Sequence, residues 1–193
     1  MKCKSELRAA VLARRDALLP EEIAEKSRAA GERLRSLPEF AAARLVMFFL
    51  TFGSEVDTLP MVRQALADGK RVAAPRVERT SRRLLPCEVT DPEADLGPGA
   101  YGIREPKAGC VALALYEIDL VLVPAAAWGE DGYRVGYGGG YFDRFLSQAK
   151  GAWRVGIGLQ VQVVPEVPHG PHDLPVDILV TEAGVRRFAH RRR

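Results

Sequence analysis

Between Gly132 and Leu146 the chain reads Gly-Tyr-Arg-Val-Gly-Tyr-Gly-Gly-Gly-Tyr-Phe-Asp-Arg-Phe-Leu. Gly136, Gly138, Gly139 and Gly140 carry no side chains, so an anion can approach their N–H groups closely. A helix signal follows at once: Phe142, Phe145, Leu146 and Ala149 fall at i, i+3, i+4 and i+7 and give it one apolar face. A glycine-rich turn that opens a helix aims unpaired backbone N–H groups and the positive end of the helix dipole at one point, which is the chemistry of a polyphosphate cradle. Arg134 adds a fixed positive charge just ahead of these glycines. Neither of the two commonest cradles is present. A Walker A loop needs Lys and then Ser or Thr after its last glycine, where Tyr141 and Phe142 stand; a G-x-G-x-x-G begun at Gly136 ends on Tyr141. The plain alternative is a tight turn closing on a helix whose dipole Asp143 complements, although three consecutive glycines are more than a turn requires.

Two other features can serve the same chemistry. Lys4, Arg8 and Arg15 lie at i, i+4 and i+11, within about 40° of one helical face, and form a cationic stripe unless that face is simply solvated. Asp177 sits inside the apolar run Val176-Asp177-Ile178-Leu179-Val180, where a carboxylate needs a partner, either a cation such as an arginine or a metal. Asp143 and Asp177 together suit one Mg²⁺, which takes one or two carboxylates and completes its shell with phosphate oxygens and water.

Composition limits the rest. The 193 residues are 47% hydrophobic and 27% charged, with a net charge of +3, an ordinary globular mixture long enough to bury a core. The charge excess is local: residues 186–193 hold five arginines, and without them 23 basic residues face 25 acidic ones. A nucleic-acid coat, a disordered chain and a membrane protein are thereby excluded, and 186–193 is expected to be a frayed, flexible Arg-rich tail. Cys3, Cys87 and Cys110 are odd in number and widely spaced, with no C-x-x-C, so free thiols in a reducing cytoplasm are expected. The N-terminal segment reads as charged and amphipathic, so no apolar leader is expected, and the run Leu45–Leu50 is too short to span a bilayer. His169 and His172 fall in a Pro-rich loop, 165–175, without a third ligand and are read as loop residues.

The elements that must position these residues alternate. Residues 2–19 read as a helix with Leu7, Val11 and Leu18 on one stripe. Pro20 then restarts the chain as a second helix to about Leu37, and the two are expected to form a hairpin. Strands are expected at 44–50, 71–75, 119–124, 153–159 and 176–181, with an edge strand at 84–90 that Pro86 interrupts. Helices are expected at 58–68, stopped by Gly69, and at 141–150. Residues 97–106 read as a loop. Strands separated by helices imply an α/β fold: one domain over 1–193, with a mostly parallel sheet flanked by helices on both faces.

The segment Arg134–Arg144 resembles the signature of the 5-formyltetrahydrofolate cyclo-ligase family, also called methenyltetrahydrofolate synthetases. Lys4-Ser5-Glu6-Leu7-Arg8 is similar to the family's N-terminal Lys-x-x-Leu-Arg helix. Phe48-Phe49-Leu50 with Glu55-Val56-Asp57-Thr58 is similar to its first strand and acidic turn, and Pro75-Arg76 to its next strand end. Tyr101–Pro106 is similar to its Gly-Ile-x-Glu-Pro loop, and Val176-Asp177 to its late aspartate. The resemblance covers nearly the whole chain in order. It departs at Phe142, where the family usually has a second Tyr, and at Tyr137 and Gly139, where some relatives carry Lys or Arg.

The resemblance implies an enzyme that uses ATP and Mg²⁺ to cyclise 5-formyltetrahydrofolate to 5,10-methenyltetrahydrofolate, releasing ADP and phosphate after phosphorylation of the formyl oxygen. It implies ATP contacts from Lys4, Ser5, Glu6, Leu7 and Arg8 and from Arg134, Val135, Gly136, Tyr137, Gly138, Gly139, Gly140, Tyr141 and Phe142. It implies a folate site of Leu50, Glu55, Tyr101 and Tyr137 to Tyr141, with the Glu55 carboxylate accepting from adjacent pterin N–H donors. Catalytic roles fall to Lys4, Arg134 and Tyr141, and Mg²⁺ to Asp143 and Asp177. A monomer is expected, working on a small molecule without nucleic acid or membrane. Two rival readings are a diverged relative acting on another small substrate and a non-catalytic nucleotide- or RNA-binding module resting on the arginine tail.

Overall fold

A computed structural model describes residues 3–189. The chain opens with α1 (Lys4–Asp16), α2 (Pro20–Arg35) and the short α3 (Pro38–Ala42), the last two each begun by a proline at the first helical position. Then come β1 (Leu45–Met47), α4 (Leu59–Ala67), β2 (Arg71–Glu78), β3 (Arg83–Val89), α5 (Pro92–Asp95), β4 (Leu96–Pro98) and β5 (Arg104–Pro106). The second half holds β6 (Leu120–Val123), β7 (Ala127–Gly129), β8 (Arg134–Val135), α6 (Tyr141–Gln148), β9 (Trp153–Ile157), β10 (Val163–Val164), β11 (Ile178–Thr181) and β12 (Gly184–Arg187).

Seven strands form the main sheet in the order β12-β11-β9-β6-β1-β2-β3. The five inner strands are parallel, and β12 and β3 close the edges antiparallel. The α/β fold with a mostly parallel sheet, expected from the alternation, is the fold observed. The apolar runs divide by side-chain parity. Val46, Leu120, Leu122, Ile178 and Val180 face a core built with Leu34 of α2 and Val62 of α4. Leu45, Met47, Val121, Val123 and Leu179 face the opposite core with Phe145 and Leu146 of α6. Both faces are therefore covered.

Several expectations shift. The two N-terminal helices follow each other directly as expected, but α1 packs on β7 and the turn Gln160–Gln162, whereas α2 packs on β11 and β12. Lys2, the expected start of the first helix, lies outside the described residues. Strand β2 runs on through Pro75, because Pro75 stands opposite Pro86 of β3 and neither ring has an N–H to leave unpaired. The stretch 97–106, read as loop, contains an antiparallel pair, β4 with β5. A three-stranded sheet, β10-β7-β8, was not anticipated; its strands of two or three residues are too short to show a period.

The expected frayed tail is wrong for its first part. Arg186 and Arg187 belong to β12, Arg187 pairs with Glu39, and Arg186 pairs with Glu130 at 2.9 Å. The Phe188 N–H donates to the Asp177 carbonyl at 2.9 Å, and its ring packs into the α6 core. Residues 190–193 lie outside the described residues.

Candidate active site

The ends of β1, β2 and β6 open into a cleft of about 610 Å³. Ligand crevices of α/β sheets lie at this carboxyl edge. The floor is Phe49, Leu50, Pro75 and Pro124, one wall is Phe52, Tyr101, Ile103 and Glu105, and the other is the glycine loop from Arg134 to Asp143. The phosphate-cradle segment and the residues expected to hold the folate thus border one cavity.

The glycine loop spans β8 to α6. Gly138 has φ +100° and Gly140, the residue that caps α6, has φ +63°. These values admit glycine at little cost, and no side chain caps the helix, so its first N–H groups stay open to a ligand. Arg144 of α6 fixes the loop from behind, donating to the Gly139 carbonyl at 2.7 Å and the Arg82 carbonyl at 3.0 Å.

The cationic stripe of α1 faces inward. The Arg8 guanidinium donates to the Gly136 carbonyl at 2.7 Å. Arg15, only 3% exposed, donates to the Tyr137 hydroxyl at 2.7 Å and to Ser54 at 2.9 Å. Lys4 reaches Asp173 at 2.6 Å. Through Arg8 and Arg15 the α1 stripe is joined to the glycine loop. Among the N-terminal residues expected at ATP, Leu7 packs on the small core around Val11 and Val135, while the Ser5 and Glu6 side chains bond to Cys3.

Glu55 is 5% exposed, and burial raises its pKa above the ordinary carboxylate range. The Tyr137 hydroxyl, the Phe52 N–H at 2.9 Å and the charge of Arg15 pull the other way. The turn that carries it is held by Thr58, whose hydroxyl donates to the Phe49 carbonyl at 2.7 Å, and by Ser27, which accepts from the Asp57 N–H at 2.9 Å. Glu105 has a structural part: its two oxygens accept from the Ala100 N–H at 2.8 Å and the Val77 N–H at 3.1 Å. That pairing pins the Tyr101 loop against β2. Tyr101 itself, at φ +59°, meets the Tyr141 hydroxyl at 3.2 Å across the cleft mouth and lies under the Arg79 guanidinium.

Arg134 is 5% exposed and does not present a free charge. It donates to Asp143 at 2.8 Å and to the Leu174 carbonyl at 2.6 Å, and burial lowers its pKa while Asp143 opposes that shift. Asp143 lines the cleft. Asp177 does not: its Oδ2 accepts from the Arg154 N–H at 2.9 Å and so ties the start of β11 to β9. Among the described residues no group of three or more His, Cys, Asp or Glu converges on a metal-sized site.

With this geometry in view, comparison with known proteins is decisive. The sequence model of the 5-formyltetrahydrofolate cyclo-ligase family matches residues 1–182. The chain belongs to this family.

The cyclo-ligase of Escherichia coli strain K12 is 34% identical over 175 residues, covering 89% of this chain and 96% of the relative. The Mus musculus cyclo-ligase is 27% identical over 189 residues, covering 93% of each. Among solved structures, the 5,10-methenyltetrahydrofolate synthetase of Aquifex aeolicus matches with a TM-score of 0.86 and 38% identity over 98% of this chain and 95% of that one. The Mycoplasma pneumoniae synthetase, at 20% identity and a TM-score of 0.75 over 93% and 98% of the chains, shares the fold. The family read from the glycine signature is thereby shown, and with it the enzyme class, a cyclo-ligase of folate one-carbon chemistry.

Three contacts near the glycine segment and the Pro-rich loop could not be read from the sequence. Asp173, the partner of Lys4, lay in the Pro-rich loop read as unremarkable. In the same loop His169 stacks on Tyr133 at 3.7 Å with its ring nitrogen 3.7 Å from Asp131, a platform that nothing in the spacing indicated. Arg15 was placed on the right face, but its partner, Tyr137, lies 122 positions away.

Proposed function

We propose that this chain converts 5-formyltetrahydrofolate and ATP to 5,10-methenyltetrahydrofolate, ADP and phosphate with Mg²⁺. The observation that carries the reading is that Glu55 and the glycine loop border one cleft, so a pterin on the carboxylate and a polyphosphate on the loop would meet inside it.

A formamide carbonyl is a weak electrophile with a poor leaving oxygen. In the proposed sequence the formyl oxygen attacks the γ-phosphorus of ATP and ADP departs. The folate nitrogen at position 10 then attacks the activated carbon, the carbon–oxygen bond breaks and phosphate leaves with the former formyl oxygen. The attacking nitrogen loses its proton as the ring closes. Such a sequence asks the protein mainly for positioning and charge neutralisation. The backbone N–H groups of Gly136 to Tyr141, with Lys4 and Arg8, are suited to the triphosphate. Leu50, Tyr101 and Tyr141 are suited to the apolar body of the folate, and Glu55 to the pterin edge.

The donor set fits Mg²⁺, with Asp143 at the cleft wall as first ligand and phosphate oxygens and water completing the shell. Asp177, the second carboxylate put forward from the sequence, does not line the cleft and accepts from the Arg154 N–H, so it is not part of this donor set. When bound, the ion would neutralise charge on the transferring phosphate. Arg134 orients Asp143 and is not itself assigned to the phosphate. We also read the chain as one domain working as a monomer, and its three free, widely spaced cysteines as suited to a reducing cytoplasm. No described helix is long and apolar enough to cross a membrane.

The test is direct. Purified protein given ATP, Mg²⁺ and 5-formyltetrahydrofolate should develop the methenyl chromophore, and no chromophore should form without ATP. Folded protein that binds ATP yet produces no chromophore would reject the assignment.

A further inference from the structure

We propose that Arg15 and Tyr137 are positioning residues for Glu55, orienting its carboxylate for two N–H donors of the substrate. This deepens the folate reading above and rests on it.

The order of protons is fixed by chemistry. A guanidinium can only donate, so the Tyr137 oxygen accepts from Arg15 at 2.7 Å and its own O–H must point at Glu55 Oε1. The Phe52 N–H occupies Oε2 at 2.9 Å. Each carboxylate oxygen thus receives one protein donor and keeps a lone pair for the cleft. The groups facing Glu55 come from three elements. Arg15 comes from α1, where it is ion-paired with Asp16 at 3.7 Å and linked to it again through Ser54. Tyr137 comes from the glycine loop, and the Phe52 N–H from the loop of Glu55 itself. The other charged pair of the wall, Arg134 with Asp143, is closed on itself.

Arg15 is the cation that acts on Glu55, and it does so through a hydroxyl. At 3% exposure its charge is scarcely screened by solvent, and Tyr137 is 44% exposed while its hydroxyl lies between the two. The cation is thus supplied from α1 and relayed. The same relay joins helix α1, the glycine loop and the turn after β1, so the nucleotide half and the folate half of the cleft share one hydrogen-bonded bridge.

The test uses Tyr137→Phe, which deletes one hydroxyl, Arg15→Met, and the conservative Arg15→Lys. Loss of one donor to a charged acceptor predicts that KM for 5-formyltetrahydrofolate rises roughly tenfold in Tyr137→Phe and Arg15→Met, with KM for ATP within about twofold of wild type. Arg15→Lys should restore part of the loss. The acid limb of kcat/KM for the folate should move to higher pH in both disabling variants, because a carboxylate that loses a donor or a nearby cation binds its proton more tightly.

Independently of turnover, protein carrying ¹³C-labelled glutamate carboxyls should show the Glu55 signal, assigned by its loss in Glu55→Gln, titrating at higher pH in both variants. An unmoved titration and an unmoved acid limb would overturn the proposal, as would equal rises in both KM values. If wild type makes no methenyl product but the titration moves, the positioning stands and the substrate reading fails.

Discussion

Arg134 Nη2 lies 2.8 Å from Asp143 Oδ1, so an arginine buried in the cleft wall is neutralised by the first turn of α6 before any ligand arrives. The two residues are nine positions apart with the glycine loop between them, and their bond closes that loop like a clasp. Asp143 compensates Arg134 and, in the proposed reading, is also the carboxylate offered to Mg²⁺, two duties that a simple deletion would confuse. Asp143→Asn should leave a buried guanidinium half-partnered and cost on the order of 2 kcal/mol, lowering Tm by roughly 4–8 °C in a chain of this size. If Asp143 also holds the ion, the Mg²⁺ concentration giving half-maximal rate should rise at least tenfold in the same variant. A fall in Tm with unchanged Mg²⁺ dependence would leave Asp143 a clasp alone.

Gly136 offers a cleaner probe of the cradle. A Cβ built there meets nothing within 4 Å, and the residue borders the cleft. The fold should therefore tolerate Gly136→Ala, with Tm within about a degree of wild type, since no contact is lost and no strain is added. A polyphosphate lying against the backbone would meet the new methyl, so KM for ATP should rise about tenfold. Gly138→Ala would not separate these effects, because φ +100° strains any residue with a Cβ. Unchanged ATP kinetics in Gly136→Ala would show that the nucleotide does not pass this point.

What was legible in the sequence follows from range. Central strands such as Leu120–Val123 announce themselves because both faces are buried and every residue is apolar. The glycine loop announces itself because only missing side chains leave room for an anion. Strand β8 has two residues and no pattern of its own; it exists because the Ala126 N–H and the Val135 carbonyl meet at 2.8 Å. The Arg186–Arg187 pair looked like a tail because its acidic partners, Glu130 and Glu39, sit far away in sequence. Spacing likewise put Asp143 and Asp177 forward as carboxylates, but could not indicate that one would face Arg134 and the other the Arg154 backbone.

Lys4 and Asp173 should show opposite effects on ATP. Their 2.6 Å pair is partly solvent-exposed, 42% and 23%, so it should contribute less than about 1 kcal/mol to stability. Its importance is that Asp173 holds the cation a triphosphate would use. Lys4→Ala should raise KM for ATP, and Asp173→Asn, which releases Lys4, should lower it. Burial alone would raise the Asp173 pKa, but the Lys4 bond and the Gly170 N–H outweigh it and hold the carboxyl below its ordinary range. A depressed carboxyl contributes stability that is present above its unfolded value, near pH 4, and is lost as pH falls through the folded value. Asp173→Asn should accordingly show a shallower loss of stability below about pH 4 than wild type. If both variants leave KM for ATP unchanged, Lys4 does not meet the nucleotide.

Glu55 has the opposite linkage. Burial is the largest influence on it and raises its pKa, with Tyr137, the Phe52 N–H and Arg15 compensating only in part. A carboxyl whose folded pKa lies above the unfolded one penalises the native state once pH exceeds the folded value, and the penalty fades as pH falls to the unfolded value near 4. Glu55→Gln removes the charge and keeps an oxygen to accept from Tyr137. The variant should therefore unfold at higher urea than wild type at pH 7.5, and the two midpoints should converge by about pH 4.5. Its affinity for 5-formyltetrahydrofolate should fall sharply while ATP binding persists, since the amide offers one acceptor where the pterin edge presents two donors. That combination, a gain in stability with a loss of folate binding, is what a buried charge kept for its ligand predicts. A variant less stable than wild type at both pH values would instead mean that the bonds to Tyr137 and Phe52 outweigh desolvation, making Glu55 a tie between α1, the glycine loop and the turn after β1.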